Sequence, residues 1–264
     1  MATKIFNEFK ENLKKGFPVA LATVIEGPGQ GAKLLLLPDG SYLGSLGNTK
    51  IDSVLSRDMA GELAAGRTSI RHYGIEGEAR EETLSIFIES FAPPPQMVIF
   101  GAVDFTAALV RIAKVLGYKV IVCDARPVFA TKARFPQADS VENEWPDQLM
   151  EKLGTSLGPR DAVCVLTHDN KFDVPAITSA LQTQVGYIGV MGSRKTHENR
   201  TERLIEAGVT TKEFERVMSP IGLDLGARTP EETAISICAE IIAMRTGRKA
   251  PHLKTIEGAI HGDR

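Results

Sequence analysis

In the middle of the chain an apolar strand, a glycine and a helix follow one another without a break. Residues 97–100 are a short apolar run that predicts a buried parallel strand, Gly101 follows, and residues 105–116 have helical spacing. These are the parts of the GxGxxG fingerprint, in which a diphosphate lies on backbone N–H groups at a helix start. Val103 stands where that fingerprint has its second glycine, and the acidic Asp104 follows it. The pattern therefore favours the fold and weakens the expectation of a bound dinucleotide.

A second predicted strand, residues 119–123, ends in Asp124, which lies 23 residues after Gly101. This is close to the roughly 20-residue spacing at which the second strand of a Rossmann fold presents an acid to a ribose hydroxyl. Asp124 is also compatible with a local role as the cap of the loop that contains Arg126, because Asp is common in turns. The sequence leaves both interpretations open.

Composition excludes several classes of protein. The formal net charge of −2 gives no electrostatic footprint for nucleic acid. No apolar run approaches the roughly 18 residues that a membrane span needs, and the mixed charges of residues 1–15 do not fit a signal peptide. Cys123, Cys164 and Cys238 lie in apolar segments, which favours buried thiols over a disulfide or a metal site. We therefore expect a cytoplasmic protein.

The proline run at residues 93–95 is the most marked break in the chain and predicts a domain boundary, with domains at residues 1–94 and 95–264. Upstream, short apolar runs separated by glycine turns predict an antiparallel meander, followed by a helix at residues 51–65 and a further strand. Downstream, strands and helices alternate, which is typical of a parallel sheet with helices on both faces. The predicted fold class is α/β: a Rossmann-like parallel-sheet domain preceded by a small mixed, mainly β domain.

Polar residues follow two of the predicted parallel strands, at the sheet edge where ligands of open α/β folds bind. Arg194 and Lys195, beside a helix start at Ser193, suit a phosphate or another oxyanion, although an ordinary N-cap with solvated bases gives the same pattern. His168 beside Asp169 suits proton transfer but is also compatible with a structural loop histidine. The predicted cofactor-binding residues are Gly101, Ala102, Val103, Asp124, Arg126, Thr167, His168, Asp169, Gly192, Ser193, Arg194, Lys195 and Asp224.

Asp224 lies in an apolar loop before the last predicted helix. It either holds that loop through local hydrogen bonds or faces the ligand crevice. The sequence predicts the start of this helix from three residues. Thr229 is the N-cap, Pro230 is the first-turn proline and Glu232 is the glutamate of a capping box. Cys238 lies on its apolar face.

Several segments together resemble the XdhC/CoxI family, whose members are accessory factors of xanthine dehydrogenase and related molybdenum hydroxylases. The resemblance covers about residues 16–248, and its segments are PVALATV, LPDGSYLGSLG, FGAVDFTAAL, VCDARPVFATKARFPQAD, LTHDNKFD, YIGVMGSRK and SPIGLDLGARTPEETAISICAEIIA. It implies a small N-terminal domain followed by a Rossmann domain. It also implies a chaperone that binds molybdenum cofactor (molybdopterin), assists its sulfuration or its insertion into a hydroxylase client, and has no reaction of its own. A cysteine desulfurase and a second copy of the chain are further partners to test.

The chain departs from the family pattern at three places. The phosphate turn, which resembles GAGH in the family, reads GAVD at residues 101–104. The family's GSxPRxxGA segment is shortened to residues 27–32 and lacks the arginine. The family's GGC-type segment corresponds to residues 47–50, which contain no cysteine. These departures point to a changed ligand or client and leave two rival hypotheses, an NAD(P)- or FAD-dependent oxidoreductase and a scaffold whose crevice has lost its ligand.

The altered turn gives a first prediction. The Val103 side chain hinders close approach of a diphosphate and Asp104 repels it, so NAD, NADP and FAD should bind with dissociation constants no better than roughly 0.1 mM. Calorimetry measures this directly. Replacing both residues (Val103→Gly with Asp104→His) should improve the affinity if the turn alone is responsible. Micromolar binding of any of the three by the unaltered chain would contradict the prediction and favour the oxidoreductase.

Overall fold

A computed structural model describes residues 2–78 and 82–257, without the side chains of Ala2, Thr155, Arg194, Lys195, Glu198 and Asn199. The chain divides into two compact units, Met1–Pro93 and Pro94–Arg264, at the proline run. The sequence prediction put the boundary between residues 94 and 95, one residue after the boundary between these units. Within the described ranges no helix is both long and apolar enough to cross a membrane.

The first unit is an antiparallel sheet with two helices. Its elements are α1 (Ala2–Lys14), β1 (Val19–Glu26), β2 (Lys33–Leu36), β3 (Tyr42–Ser45), α2 (Thr49–Ala65), β4 (Ser69–Tyr73) and β5 (Leu84–Phe91). Over the described residues the strand order is β3-β2-β1-β5-β4, and each neighbouring pair is antiparallel. The predicted meander is therefore confirmed as β1-β2-β3.

Each face of this sheet is covered by one helix. Successive side chains of a strand point to opposite faces, so Ala20 and Ala22 of β1 join the cluster that contains Leu55 of α2. Val19 joins the cluster that contains Ile5 of α1. Alternation along one strand thus divides the apolar side chains between two helices.

The second unit is a parallel sheet with helices on both faces. Its elements are β6 (Gln96–Phe100), α3 (Asp104–Val115), β7 (Lys119–Cys123), β8 (Ser140–Glu142), α4 (Pro146–Leu153), β9 (Ala162–Val165), α5 (Asn170–Leu181), β10 (Tyr187–Val190), α6 (Arg194–Glu206), α7 (Thr211–Phe214), β11 (Val217–Met218) and α8 (Pro230–Thr246). In the described chain the strand order is β11-β10-β9-β6-β7-β8, with parallel pairing throughout. Counted from β6 this is 3-2-1-4-5-6, the order of a Rossmann fold.

Both faces of the parallel sheet are buried, which explains why its strands are uninterrupted apolar runs. Along β6, Met97 and Ile99 pack on the side of α3 and α8. Val98 and Phe100 pack on the side of α4, α5 and α6. The start of α8 has the expected capping box, in which the Glu232 N–H donates to Thr229 Oγ1 at 3.1 Å and the Thr229 N–H donates to Glu232 Oε2 at 3.1 Å.

Three features of the fold bear on the sequence predictions. The cysteines Cys123, Cys164 and Cys238 are free and buried, as expected. Strand β4 has no counterpart among the predictions, because it lies at a sheet edge and its exposed positions break the apolar pattern. Strand β11 is only two residues long, too short for any periodicity to appear.

The division into units predicts independent folding. The buried clusters of the second unit consist of its own residues, so a fragment of residues 94–264 should unfold cooperatively without the first unit. Circular dichroism during urea denaturation tests this, with the full chain as reference. A fragment that is soluble only as an aggregate, or that unfolds without a cooperative transition, would contradict the boundary.

Candidate functional site

The adjacent strands β6 and β9 form the switch point of the parallel sheet. The helix that follows β6 packs on one face and the helix that follows β9 packs on the other. In open parallel sheets such a reversal places the ligand crevice beyond the carboxyl ends of the two strands. Gly101 lies there with φ +108°, and a Cβ on it would stand 2.7 Å from Thr167 Cγ2 and 3.0 Å from Thr167 N. Glycine is therefore required by both backbone conformation and space, since the two strand ends lie against each other.

The turn after β6 uses its own N–H groups. The Ala102 N–H donates to Asp124 Oδ2 at 2.8 Å, and the Val103 N–H donates to Thr106 Oγ1 at 3.4 Å. Val103 itself is half-buried and packs against the core. Asp104 is 93% exposed at the first position of α3, 3.8 Å from Arg134 Nη2. The groups that would cradle a diphosphate are thus bonded within the protein, and a negative charge stands beside them.

The Asp124 carboxylate is saturated by local donors. Its Oδ1 accepts hydrogen bonds from the backbone N–H of Arg126 at 3.0 Å and from Arg126 Nε at 2.9 Å. Its Oδ2 accepts one from Arg126 Nη2 at 2.7 Å besides that from Ala102. Burial raises the pKa of Asp124, but these hydrogen bonds outweigh it and leave the pKa below its usual value. Asp124 thus has the local role of holding the turn. A contact between Asp124 and a ligand stays a prediction.

Beneath the ends of β9 and β10 lies a buried ion pair. Arg200 is 1% exposed and Asp173 is 0% exposed, and Asp173 Oδ2 accepts hydrogen bonds from Arg200 Nη2 at 2.8 Å and Nε at 3.2 Å. The other carboxylate oxygen accepts a hydrogen bond from the Thr167 hydroxyl. Burial raises the pKa of Asp173 to about 6, while the Arg200 guanidinium lowers it. The pair connects α5 and α6 to the end of β9.

The same guanidinium reaches the end of β10. Arg200 Nη2 donates to the Met191 carbonyl at 3.0 Å and would stand 3.4 Å from a Cβ on Gly192, whose φ is +153°. Arg200 Nη1 is buried and finds no hydrogen-bond partner among the described residues. Gly192 thus leaves room for the cation directly below the turn into α6.

The N-terminus of α6 is the predicted anion site, and the helix begins beside Ser193 as the sequence predicted. Ser193 is the N-cap, and its Oγ accepts a hydrogen bond from the Thr196 N–H at 3.2 Å. The side chains of Arg194 and Lys195 lie outside the described residues. An oxyanion at this helix start therefore stays a prediction.

Asp169 has a structural role at the start of α5. Its Oδ1 accepts a hydrogen bond from the Lys171 N–H at 3.1 Å, and its Oδ2 lies 3.3 Å from Lys171 Nζ. His168 is exposed beside it, and within the described ranges the Asp169 carboxylate bonds to Lys171 and not to this imidazole. The arrangement gives no support to a proton-transfer pair.

The loop that contains Asp224 is held by helix α8. Glu240 Oε2 accepts a hydrogen bond from the Gly222 N–H at 2.9 Å, and Ser236 Oγ donates to the Leu223 carbonyl at 2.5 Å. Asp224 is exposed. Side chains of α8 thus take the local role that the sequence offered to Asp224, and its ligand-facing role stays a prediction.

Asn48, in the segment of residues 47–50 that the resemblance sets against the family's GGC-type segment, serves here as a helix cap. Asn48 Oδ1 accepts hydrogen bonds from the N–H groups of Lys50 at 2.9 Å and Ile51 at 3.0 Å. Elsewhere, burial raises the pKa of the Cys123 and Cys238 thiols to about 12, so they stay protonated at neutral pH. In the described residues no cluster of three or more His, Cys, Asp or Glu side chains is arranged to hold a metal ion.

Sequence reasoning missed Asp173, Arg200 and Thr106. A usable signal existed for Arg200, because it is four residues from the buried Leu204 and therefore on the same helix face. Asp173 is likewise four residues before the buried Ile177. A charged residue on the inward stripe of each of two helices is the pattern of a buried pair.

Two sequence models of one family match the chain. Residues 97–241 match the XdhC Rossmann domain, and residues 13–74 match the model described as the XdhC and CoxI family. A solved structure from Bacillus halodurans, described as a xanthine dehydrogenase, covers 93% of this chain and 97% of its own, with a TM-score of 0.54 and 22% identity. At that identity the likeness concerns the fold.

Three curated proteins are similar to this chain in sequence. A protein of Bacillus subtilis (strain 168), described as a probable component of xanthine dehydrogenase, is 36% identical over 165 residues, 62% of this chain and 47% of its own length. The molybdenum cofactor insertion chaperone PaoD of Escherichia coli (strain K12) is 25% identical over 162 residues, 61% of this chain and 44% of its own. The uncharacterized protein YqeB of the same organism is 24% identical over 255 residues, which are 91% of this chain and 46% of the length of YqeB. The chain spans about half the length of these relatives.

The buried pair gives a stability prediction. Arg200→Met leaves a buried carboxylate without its cation and should lower the free energy of unfolding by about 3–5 kcal/mol, measured by urea denaturation. The matched control is Arg111→Met, in an exposed pair with Glu231 at 2.6 Å, which should change it by about 0–1 kcal/mol. Combining Arg200→Met with Asp173→Leu should recover part of the loss, because no charge then stays buried. Equal effects of the two Arg→Met changes would refute the assignment.

Proposed function

Because the chain belongs to the XdhC/CoxI family, we propose that it is a maturation factor that binds molybdenum cofactor and delivers it to a hydroxylase of the xanthine dehydrogenase type. The observation that supports the proposal is the switch point at the carboxyl ends of β6 and β9, where Gly101 and Thr167 meet. Open parallel sheets bind their ligands at this place. The name of the relative PaoD, a molybdenum cofactor insertion chaperone, supports the same role.

The polar groups at this edge suit the pterin and phosphate end of such a ligand. N–H groups at the start of α6 beyond Ser193 point out of the helix and attract an anion. The side chains of Arg194 and Lys195 would add charged hydrogen bonds there. The hydroxyl of Thr167 is fixed by Asp173 and orients the neighbouring strand end. These residues would bind and orient the cofactor, which itself supplies the molybdenum chemistry used later by the client.

Among the described residues, no cysteine thiolate is exposed where it could bind the molybdenum end of the cofactor. Cys123, Cys164 and Cys238 are buried, and residues 47–50 cap a helix where the family pattern has a cysteine. We therefore propose that this protein holds the cofactor through its organic part and leaves the metal free of protein thiols. Sulfuration would then require a sulfur carrier from a partner, for which a cysteine desulfurase is the expected source.

An NAD(P)- or FAD-dependent oxidoreductase is the second candidate. The strand order and the position of Asp124 after β7 favour it. The occupied N–H groups of Ala102 and Val103 and the saturated Asp124 carboxylate argue against a diphosphate at the first turn. A chaperone that binds its ligand closer to β9 and β10 is more compatible with these contacts.

The proposal predicts that a bulky side chain at the crevice displaces the cofactor. His168→Trp places an indole at the end of β9, so cofactor retained after purification without oxygen should fall at least about tenfold, equivalent to 1.4 kcal/mol. Mass spectrometry of released pterin measures it. The matched control is Gln182→Trp, because Gln182 is exposed at the other end of α5 and precedes β10.

Transfer to an apo-hydroxylase gives the functional measurement for the same two variants. The unaltered chain and Gln182→Trp should activate the client, and His168→Trp should not. Equal retention and transfer by both variants would place the cofactor elsewhere and refute the crevice. Failure of the unaltered chain to retain any pterin would refute the maturation role.

A further inference from the structure

Four planar side chains form a row beside the crevice, and we call this row the stacking platform: Phe129, Arg126, Phe172 and Trp145. Arg126 Cζ lies 4.5 Å from the ring centroid of Phe129 and 5.9 Å from that of Phe172. The rings of Phe172 and Trp145 follow, with centroids 5.1 Å apart and planes inclined by 41°. The row therefore places one flat cation between two aromatic rings, with a third ring at one end.

Each member of the platform is held in place. Two hydrogen bonds to the Asp124 carboxylate fix the plane of the Arg126 guanidinium. Phe172 is 6% exposed in the first turn of α5. The backbone of Trp145 is restricted by Pro146, which favours an extended conformation for the residue before it. The guanidinium of Arg126 and the ring of Phe172 are thus held in place by the protein, and the backbone of Trp145 is restricted.

The Phe129 end of the platform is tied to the turn after β6. Arg134 Nη1 donates to the carbonyl of Ala102 at 2.9 Å and to that of Phe129 at 3.4 Å. The Phe129 N–H donates to the Arg126 carbonyl at 3.0 Å. The aromatic face thus lies at the carboxyl ends of the strands, next to the crevice.

The outer members of the row stay partly exposed, although Arg134 Cζ also lies 5.5 Å from the ring centroid of Phe129. Trp145 is 43% exposed and Phe129 is 39% exposed, although burial of such rings is strongly favourable. The Arg126 side chain is 43% exposed while its partner Asp124 is buried. Large apolar and planar groups kept in contact with water at a ligand-binding edge are typical of a binding surface.

We propose that the stacking platform binds a planar nitrogen heterocycle, either the pterin or the nucleobase of a nucleotide. Such rings stack on aromatic faces and on guanidinium planes. The inference deepens the proposed function, since it names the part of the cofactor that this side of the edge would hold. It is separable from cofactor delivery, because it concerns ring binding and not transfer.

The chain contains one tryptophan, Trp145, so intrinsic fluorescence reports directly on the platform. The full chain is titrated with neopterin, guanosine monophosphate, adenosine monophosphate and ribose 5-phosphate. The ring compounds should quench Trp145 saturably, and ribose 5-phosphate, which has no heterocycle, should not. Quenching by neopterin alone assigns the platform to the pterin, and quenching by the nucleotides alone assigns it to a nucleobase.

Matched variants separate stacking from other causes of quenching. Phe129→Ala should raise the dissociation constant of the quenching ligand roughly 5- to 150-fold. Val128→Ala removes an adjacent side chain that is 78% exposed and should leave it unchanged. A relocated reporter, Trp145→Phe with Gln182→Trp, should show only the inner-filter loss given by free N-acetyltryptophanamide.

Three results would overturn the proposal: no saturable quenching by any ring compound at millimolar concentration, equal quenching by ribose 5-phosphate, or equal quenching of the relocated reporter. Each is distinguishable from failure of the proposed function. A chain that still delivers cofactor to a client without quenching would keep the maturation role and lose the platform.

Discussion

The buried ion pair between Asp173 and Arg200 is the contact on which the carboxyl edge of the parallel sheet depends. Its members lie 27 residues apart on α5 and α6, and through Thr167 and the Met191 carbonyl they reach the ends of β9 and β10. Removal of either partner leaves a charge in a dry environment. The pair therefore fixes the positions of both strand ends and of α6 relative to one another.

A second carboxylate, Asp124, organises the other half of the edge. It binds the turn after β6 through the Ala102 N–H and holds Arg126 flat through two hydrogen bonds. The same contacts have opposite consequences for two kinds of ligand. They remove donors that a diphosphate would need at the first turn, and they orient a planar cation between the rings of Phe129 and Phe172. The edge is thus less suited to a dinucleotide and better suited to a stacked ring.

One departure from the family pattern also has a structural explanation. Within residues 47–50, which the resemblance sets against the family's GGC-type segment, Asn48 caps α2 and donates through Nδ2 to the Ile75 carbonyl at 2.9 Å. The cap satisfies backbone groups that a helix start leaves unpaired. In this chain the segment therefore has a role in stability, which supports a binding mode that does not use a thiol.

Local sequence determined the elements and their order. Buried parallel strands are apolar on both faces, and caps such as Thr229 with Glu232 are recognised from four consecutive residues, so both leave a signal within a short window. The same kind of window missed β4 and β11, because an edge strand needs no apolar pattern and a two-residue strand has no period. Local sequence was compatible with two roles for Asp124. The role it has depends on Arg126 and Ala102 coming together in space around the carboxylate.

The sequence by itself thus established the α/β class and the Rossmann-like domain, and it predicted the strand ends at which we propose the site. Tertiary structure alone decided that Arg200 is buried against Asp173, that Glu240 and Ser236 hold the loop of Asp224, and that Trp145 packs at a tilt against Phe172. The physical reason is the range of the interactions. Secondary structure follows from contacts a few residues apart, whereas a buried charge pair or an aromatic row depends on which helix faces the sheet brings together.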